Sequence, residues 1–133
     1  MKNVNRYIGS AVMALALSLP GLAAAVELVM VEERGCIYCA KFNAEIAPAY
    51  PNTPEGVFAP LRRVEVTDIP DGLQIVRPIR FTPTFLLVDE NVEMARIEGY
   101  PGDTFFWPLF AEFLREHTDF DTLAGSAAPD KGL

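Results

Sequence analysis

The sequence predicts a single α/β domain, and three observations carry that prediction. Val26 to Val31 is an apolar run rich in β-branched residues, broken only by Glu27, as expected of a strand buried on both faces of a parallel or mixed sheet. Ile37 to Ala47 has helical spacing, with Phe42 and Ile46 four apart and Lys41 and Glu45 on another face. Thr84 to Val88 and Val92 to Gly99 flank Asp89-Glu90-Asn91, the pattern of two strands joined by a hairpin turn.

Residues 1–25 are set aside because they read as an export signal. Lys2 and Arg6 make a positive start, Ile8 to Leu19 an apolar core, Pro20-Gly21 a helix break and Ala23-Ala24-Ala25 a small-residue cleavage site. The core is shorter than the roughly 20 apolar residues of a spanning helix. A cleavable export signal is therefore expected, not an anchor, and no stable membrane insertion after cleavage. Removing 25 residues leaves 108, enough for one hydrophobic core. The whole chain carries a net charge of −7, and loss of Lys2 and Arg6 takes it to −9. Nucleic acid and anionic membranes need clustered Lys and Arg, so neither is an expected partner.

Between the first helix and the hairpin the elements follow in order. Pro48, Pro51, Pro54 and Pro60 exclude one long helix, but Thr53 can cap a short one over Pro54 to Leu61, with Pro54 at its first position. Arg62 to Thr67 alternates Val64 and Val66 with charged neighbours and reads as a strand. Asp68-Ile69-Pro70-Asp71-Gly72 is a turn, and Leu73 to Val76 a short helical turn ended by Pro78. In the hairpin's second strand Val92, Met94 or Ala95, and Ile97 are the expected inward residues. Asp103 can cap a last helix to about His117, with Phe106, Phe110 and Phe113 on its core face and Phe105 and Trp107 as an exposed pair. Pro108 predicts a kink there, or a helix that begins in earnest near Trp107. His117 is expected as a dipole partner at the helix end. Residues 118–133 read as a flexible tail.

The chemistry centres on Gly35-Cys36-Ile37-Tyr38-Cys39, which holds both cysteines of the chain. A four-residue loop is a poor staple, because the entropic gain from a disulfide falls with loop length. Cys36 stands at a helix start, where free N–H groups and the helix dipole favour a thiolate. Such sites bring a cysteine pKa from ~8.5 down to about 3.5–7.5. Cys36 is thus the expected attacking sulfur, and Cys39, one turn on and more buried, the resolving one. The alternatives are an inert disulfide or half a zinc site, but zinc needs four ligands and the chain has one histidine, His117. The second element is Arg80-Phe81-Thr82-Pro83-Thr84. With an ordinary trans bond it ends a loop; with a cis Thr82–Pro83 bond it exposes the Thr82 backbone to pair with an extended substrate segment.

Together, CxxC at the start of the first helix, Thr82-Pro83 before a hairpin strand, Gly99 at the hairpin end and a final helix resemble the thioredoxin superfamily. The match spans about residues 26–117. It implies a thioredoxin-like fold, a central mixed β-sheet flanked by helices, with a Cys36 nucleophile and a cis Pro83. More narrowly, Glu32-x-x-Gly35-Cys36-x-Tyr38-Cys39-x-x-Phe42, the proline-rich insert, Arg80-Phe81-Thr82-Pro83-Thr84-Phe85 and Glu98-Gly99-Tyr100-Pro101-Gly102 resemble the SoxS-type periplasmic thioredoxins of bacterial sulfur-oxidation systems. That resemblance implies a protein thiol or disulfide as substrate, such as the SoxYZ sulfur carrier, and electrons from a membrane thiol donor of the CcdA/DsbD type. It implies a monomer with no cofactor or metal.

Departures from ordinary thioredoxin are specific. Gly35 replaces the tryptophan before the first cysteine, Ile37-Tyr38 replaces Gly-Pro, and Met30 stands where a buried acid is usual. Glu32 is the nearest candidate proton acceptor for Cys39, or else a solvated loop carboxylate. Tyr38 is part of a docking surface or an apolar lid. Strongly oxidising relatives carry a histidine beside the nucleophile; Ile37-Tyr38 offers no such charge, which favours a reductase. The competing functions are a disulfide oxidase or isomerase of secreted proteins, and a non-catalytic binding module.

Overall fold

A computed structural model describes residues 26–121; the expected export signal and positions 122–133 lie outside the described residues. Its elements are β1 (Val26–Glu32), α1 (Ile37–Glu45), a 3₁₀ turn (Tyr50–Asn52), α2 (Pro54–Phe58), β2 (Leu61–Glu65), β3 (Thr84–Asp89), β4 (Val92–Glu98) and α3 (Asp103–His117). The strands form one mixed sheet in the order β2-β1-β3-β4, with β1 parallel to β2 and antiparallel to β3, and β3 antiparallel to β4. No helix among the described residues is long and apolar enough to cross a membrane.

The apolar run in β1 has its physical cause in this order, because β1 is central and covered on both faces. Leu28 and Met30 face one layer, with Phe42, Ile46, Phe85, Leu87, Phe106, Phe110 and Leu114. Val29 and Val31 face the other, with Val64, Leu73, Leu86 and Val88. The first layer is built by α1 and α3, whose Phe106, Phe110 and Phe113 are buried as their spacing predicts. Phe105 is exposed, but Trp107 is not its exposed companion: it packs at the core edge, stacked on Tyr50. Helix α3 runs unbroken through Pro108. The packed region continues past His117, since Phe120 is buried edge-on to Phe58. Arg115 also pairs with Asp121 at 2.8 Å.

Thr53 caps α2 as expected, its hydroxyl accepting the Gly56 N–H at 3.0 Å. Gly56 is required there, because a Cβ would run into the Tyr50 carbonyl. Tyr50 is buried and donates from its hydroxyl to the Ala59 carbonyl at 2.6 Å; burial, with a smaller push from Glu55, holds its phenol well above the ordinary range.

Two expectations fail on the sheet's second face. Leu73 to Val76 is not a helical turn but an extended strap. The backbone groups of Gln74 bond to β4 instead, donating to the Asn91 carbonyl at 2.8 Å and accepting from the Glu93 N–H at 2.9 Å. No helix of the described residues covers this face; Val66, Ile69, Leu73, Ile75 and Ile79 do so. In β4, Val92 and Met94 are exposed while Glu93 is buried. A register shift between Leu87 and Val88 is the reason: Glu93 lies opposite Val88 but Ala95 lies opposite Leu87, so Met94 is an extra, bulged residue. The bulge brings Glu93 and Arg96, three apart, onto one face as a buried ion pair at 2.6 Å.

Burial alone would raise the Glu93 carboxyl, but the Arg96 guanidinium, the Val76 N–H and Arg77 hold it below its ordinary value of 4.5. The unfolded chain then takes up this proton at higher pH than the folded one. The stability involved is full above 4.5 and is lost as pH falls through the folded carboxyl's lower value. Thermal melts across this acid range should show the midpoint falling with pH. The double substitution Glu93→Leu with Arg96→Met should make that fall shallower.

Candidate active site

Cys36 is the N-cap of α1, and its Sγ accepts the Cys39 N–H at 3.1 Å. The turn before it closes through the Cys36 N–H to the Glu33 carbonyl at 3.0 Å, with Gly35 at φ +84°. That left-handed position favours glycine over any residue with a Cβ. Cys36 and Cys39 are joined as a disulfide with Cα atoms 5.2 Å apart. Cys39 is buried, 3% exposed, against the same core as Phe42 and Met30, while Cys36 is half-buried at the surface. Only the leading sulfur is open to a partner.

Opposite the cysteines stands the loop ahead of β3. The Thr82–Pro83 bond is cis, and the Thr82 carbonyl oxygen lies 3.3 Å from Cys36 Sγ. The loop is held on two sides. The buried Thr84 hydroxyl donates to the Phe81 carbonyl at 2.6 Å, and the Gly99 N–H donates to the Pro83 carbonyl at 2.8 Å. No backbone carbonyl among the described residues takes the Thr82 N–H. An open cleft of about 600 Å³ runs alongside, lined by Tyr38, Phe81, Thr82, Glu98, Gly99 and Tyr100. Ile37, Tyr38 and Phe81 put exposed apolar surface around it, at 66%, 54% and 60%. Tyr38 lines this cleft, its ring centroid 5.8 Å from the Lys41 ammonium.

Two groups of polar residues in this region have little signal in the sequence. Tyr100 donates to Glu45 Oε2 at 2.6 Å, tying the cleft floor to the end of α1; burial and that carboxylate raise its phenol well above the ordinary range. At the end of β1, Glu32 Oε2 accepts from Asn43 Nδ2 at 3.3 Å and pairs with Arg63 Nη1 at 3.4 Å. Arg63 also donates to the Asn43 side-chain oxygen and lies 3.8 Å from Met30 Sδ. Asn43 is one helical turn beyond Cys39 on α1, and Met30 is the register partner of Arg63 across β1 and β2. Glu32 is therefore an engaged carboxylate, not a free loop acid. Its two partners come from two other elements, α1 and β2, so sequence spacing could not have joined them. Thr84 was more accessible, as a hydroxyl three residues after the carbonyl it closes.

No protein-family model matches the chain, and no curated protein does. Among solved structures it is similar to the periplasmic thioredoxin SoxS from Paracoccus pantotrophus, crystallised in its reduced form. The two share 50% sequence identity at a TM-score of 0.65, over 68% of this chain and 97% of that one. A disulfide across CxxC, on a helix start facing the Thr-Pro loop, accompanies that identity. The chain belongs to the SoxS-type thioredoxins, and it is a thiol–disulfide oxidoreductase.

Proposed function

We propose that the protein works in the periplasm as a reductase of an oxidised cysteine on a partner protein, with the SoxYZ sulfur carrier as the favoured substrate. The observation that carries this reading is the half-open Cys36 sulfur, at a helix start and 3.3 Å from the Thr82 carbonyl, beside an apolar cleft. The periplasmic relative supports the location. In the reduced protein the Cys39 N–H and the helix dipole stabilise a Cys36 thiolate. That thiolate attacks the partner's sulfur–sulfur bond, forming a mixed disulfide and expelling the other sulfur as a thiolate. Cys39 gives up its proton and attacks Cys36 Sγ, which frees the partner's cysteine and leaves the Cys36–Cys39 disulfide. Two electrons from a membrane thiol donor of the CcdA/DsbD type restore the dithiol. Tyr38, Thr82 and Pro83 seat the partner, and Glu32, fixed by Asn43 and Arg63, takes the Cys39 proton.

Trapping tests the assignment. Cys39→Ser should stall the mixed disulfide, and mass spectrometry of periplasmic extract should find the sulfur carrier attached to Cys36. Recovery of many unrelated secreted proteins would contradict the carrier assignment. A reduction potential near −120 mV, that of a strong periplasmic oxidant, would contradict the reductase direction. For Glu32→Gln, stopped-flow should show resolution of the mixed disulfide slowed by about 10²-fold near neutral pH, the low end for a lost general base. Attack by Cys36 should be unchanged. Unaltered resolution would remove Glu32 from the proton path.

A further inference from the structure

The strap on the second face of the sheet leads directly into the cleft wall, and a buried ion pair holds it. The Glu93 and Arg96 side chains are 2% and 4% exposed. Each also grips the strap backbone: Glu93 Oε2 accepts the Val76 N–H at 2.7 Å, and Arg96 Nη2 donates to the Arg77 carbonyl at 2.9 Å. Arg77 in turn reaches Glu98 Oε1 at 3.0 Å. Glu98 lines the cleft and stands in register with Thr84, whose hydroxyl closes the Phe81 turn. Pro78, Ile79 and Arg80 are the only residues between Arg77 and Phe81. So short a span, at most about 14 Å fully extended, keeps Phe81 and Thr82 within reach of the point where Arg77 is held.

Stability alone is a poor reason for this arrangement. Desolvating two charges consumes most of their mutual attraction, and an apolar replacement of similar volume is often neutral or stabilising. What the pair supplies is geometry. The strap has no helix and lacks a full strand ladder, and the bifurcated grip of Glu93 and Arg96 sets where it lies on β4.

We propose that Glu93, Arg96 and Arg77 are positioning residues for partner selection: they set the Phe81–Thr82 wall at the separation from Cys36 that seats an extended, cysteine-bearing protein segment. A small thiol needs only the Cys36 sulfur, whereas an extended chain also needs the cleft and the Thr82 N–H, which no backbone carbonyl of the described residues takes. The ion pair thus determines the preference for a protein thiol over a small one. This rests on the thiol–disulfide reading of Cys36 and adds the source of its selectivity; it holds for either direction of electron flow.

The test uses Cys39→Ser protein with thionitrobenzoate on Cys36. An incoming thiolate bonds to Cys36 Sγ and expels thionitrobenzoate, whose colour gives the rate. The incoming thiol is either 2-mercaptoethanol or a short unstructured peptide with a central cysteine. The ratio of the two second-order rate constants should fall about tenfold in Glu93→Leu/Arg96→Met, the worth of one or two backbone hydrogen bonds. Arg77→Ala, at an exposed site, should lower it in the same direction by about threefold. The potential of the Cys36–Cys39 couple, measured with Cys39 restored, should stay at the parent value, which a general loosening of the site would not allow. An unchanged ratio in both variants overturns the proposal, as does a parent protein that treats the two thiols alike. If the double variant fails to fold, Arg77→Ala decides alone. If Cys36 in the parent cannot exchange thionitrobenzoate at all, the thiol–disulfide reading itself fails, and the proposal with it.

Discussion

Cys36→Ser should bring exchange with a protein disulfide to background, a loss on the order of 10⁶-fold, as when a covalent nucleophile is deleted. The serine hydroxyl does not ionise near neutral pH, so no anionic attacking atom remains. Serine is nevertheless a good N-cap, and its oxygen can take the Cys39 N–H that Cys36 Sγ now accepts. The four-residue disulfide loop adds little to stability. The thermal midpoint should therefore move little while activity disappears, and calorimetry beside a rate assay separates the two. A cell that keeps its phenotype with Cys36→Ser would mean that the fold serves as a non-catalytic docking module.

The largest effect on stability should come from Phe42→Ala. Phe42 is fully buried on α1, with ring centroids 4.8 Å from Phe85, 5.2 Å from Phe106 and 5.7 Å from Tyr100. It joins the cysteine-bearing helix to β3, to α3 and to the cleft floor. Truncating such a ring costs about 3–5 kcal/mol, against a total of roughly 5–15 kcal/mol for a domain. The melting temperature should drop by on the order of 20 °C. Urea unfolding should show a lower midpoint with the slope preserved. Phe105→Ala, at an exposed position immediately before the buried Phe106, should change stability by less than about 0.5 kcal/mol. Equal losses at the two positions would contradict the packing described.

The departures from ordinary thioredoxin have a common physical sense. Gly35 permits the left-handed turn that places Cys36 at the helix start. Ile37 and Tyr38 add exposed apolar surface beside Cys36. Met30 fills the usual acid's place, and the carboxylate two residues on, Glu32, is held by Arg63 and Asn43. The site keeps its two sulfurs and Thr-Pro loop while the surroundings differ.

Local features of the chain were legible because their causes are local. A doubly buried strand must be apolar throughout, so Val26 to Val31 announces β1, and Thr53-Pro54 announces a capped helix start. Phe106, Phe110 and Phe113 declare a buried helix face by spacing alone. CxxC at a helix start and Thr-Pro before a strand name the chemistry, because a thiolate needs the helix end and a proline tolerates the strand start. The sequence by itself thus determined the fold class, both sulfurs and the loop facing them. Tertiary structure alone decided what surrounds them. One bulged residue, Met94, reverses the faces of β4 and buries Glu93 with Arg96; that buried pair and the β4 backbone turn an expected helical turn into a strap. Glu32, Asn43 and Arg63 meet only because β1, α1 and β2 pack together. Register and long-range hydrogen bonds depend on which strands become neighbours, and no window of the chain contains both partners.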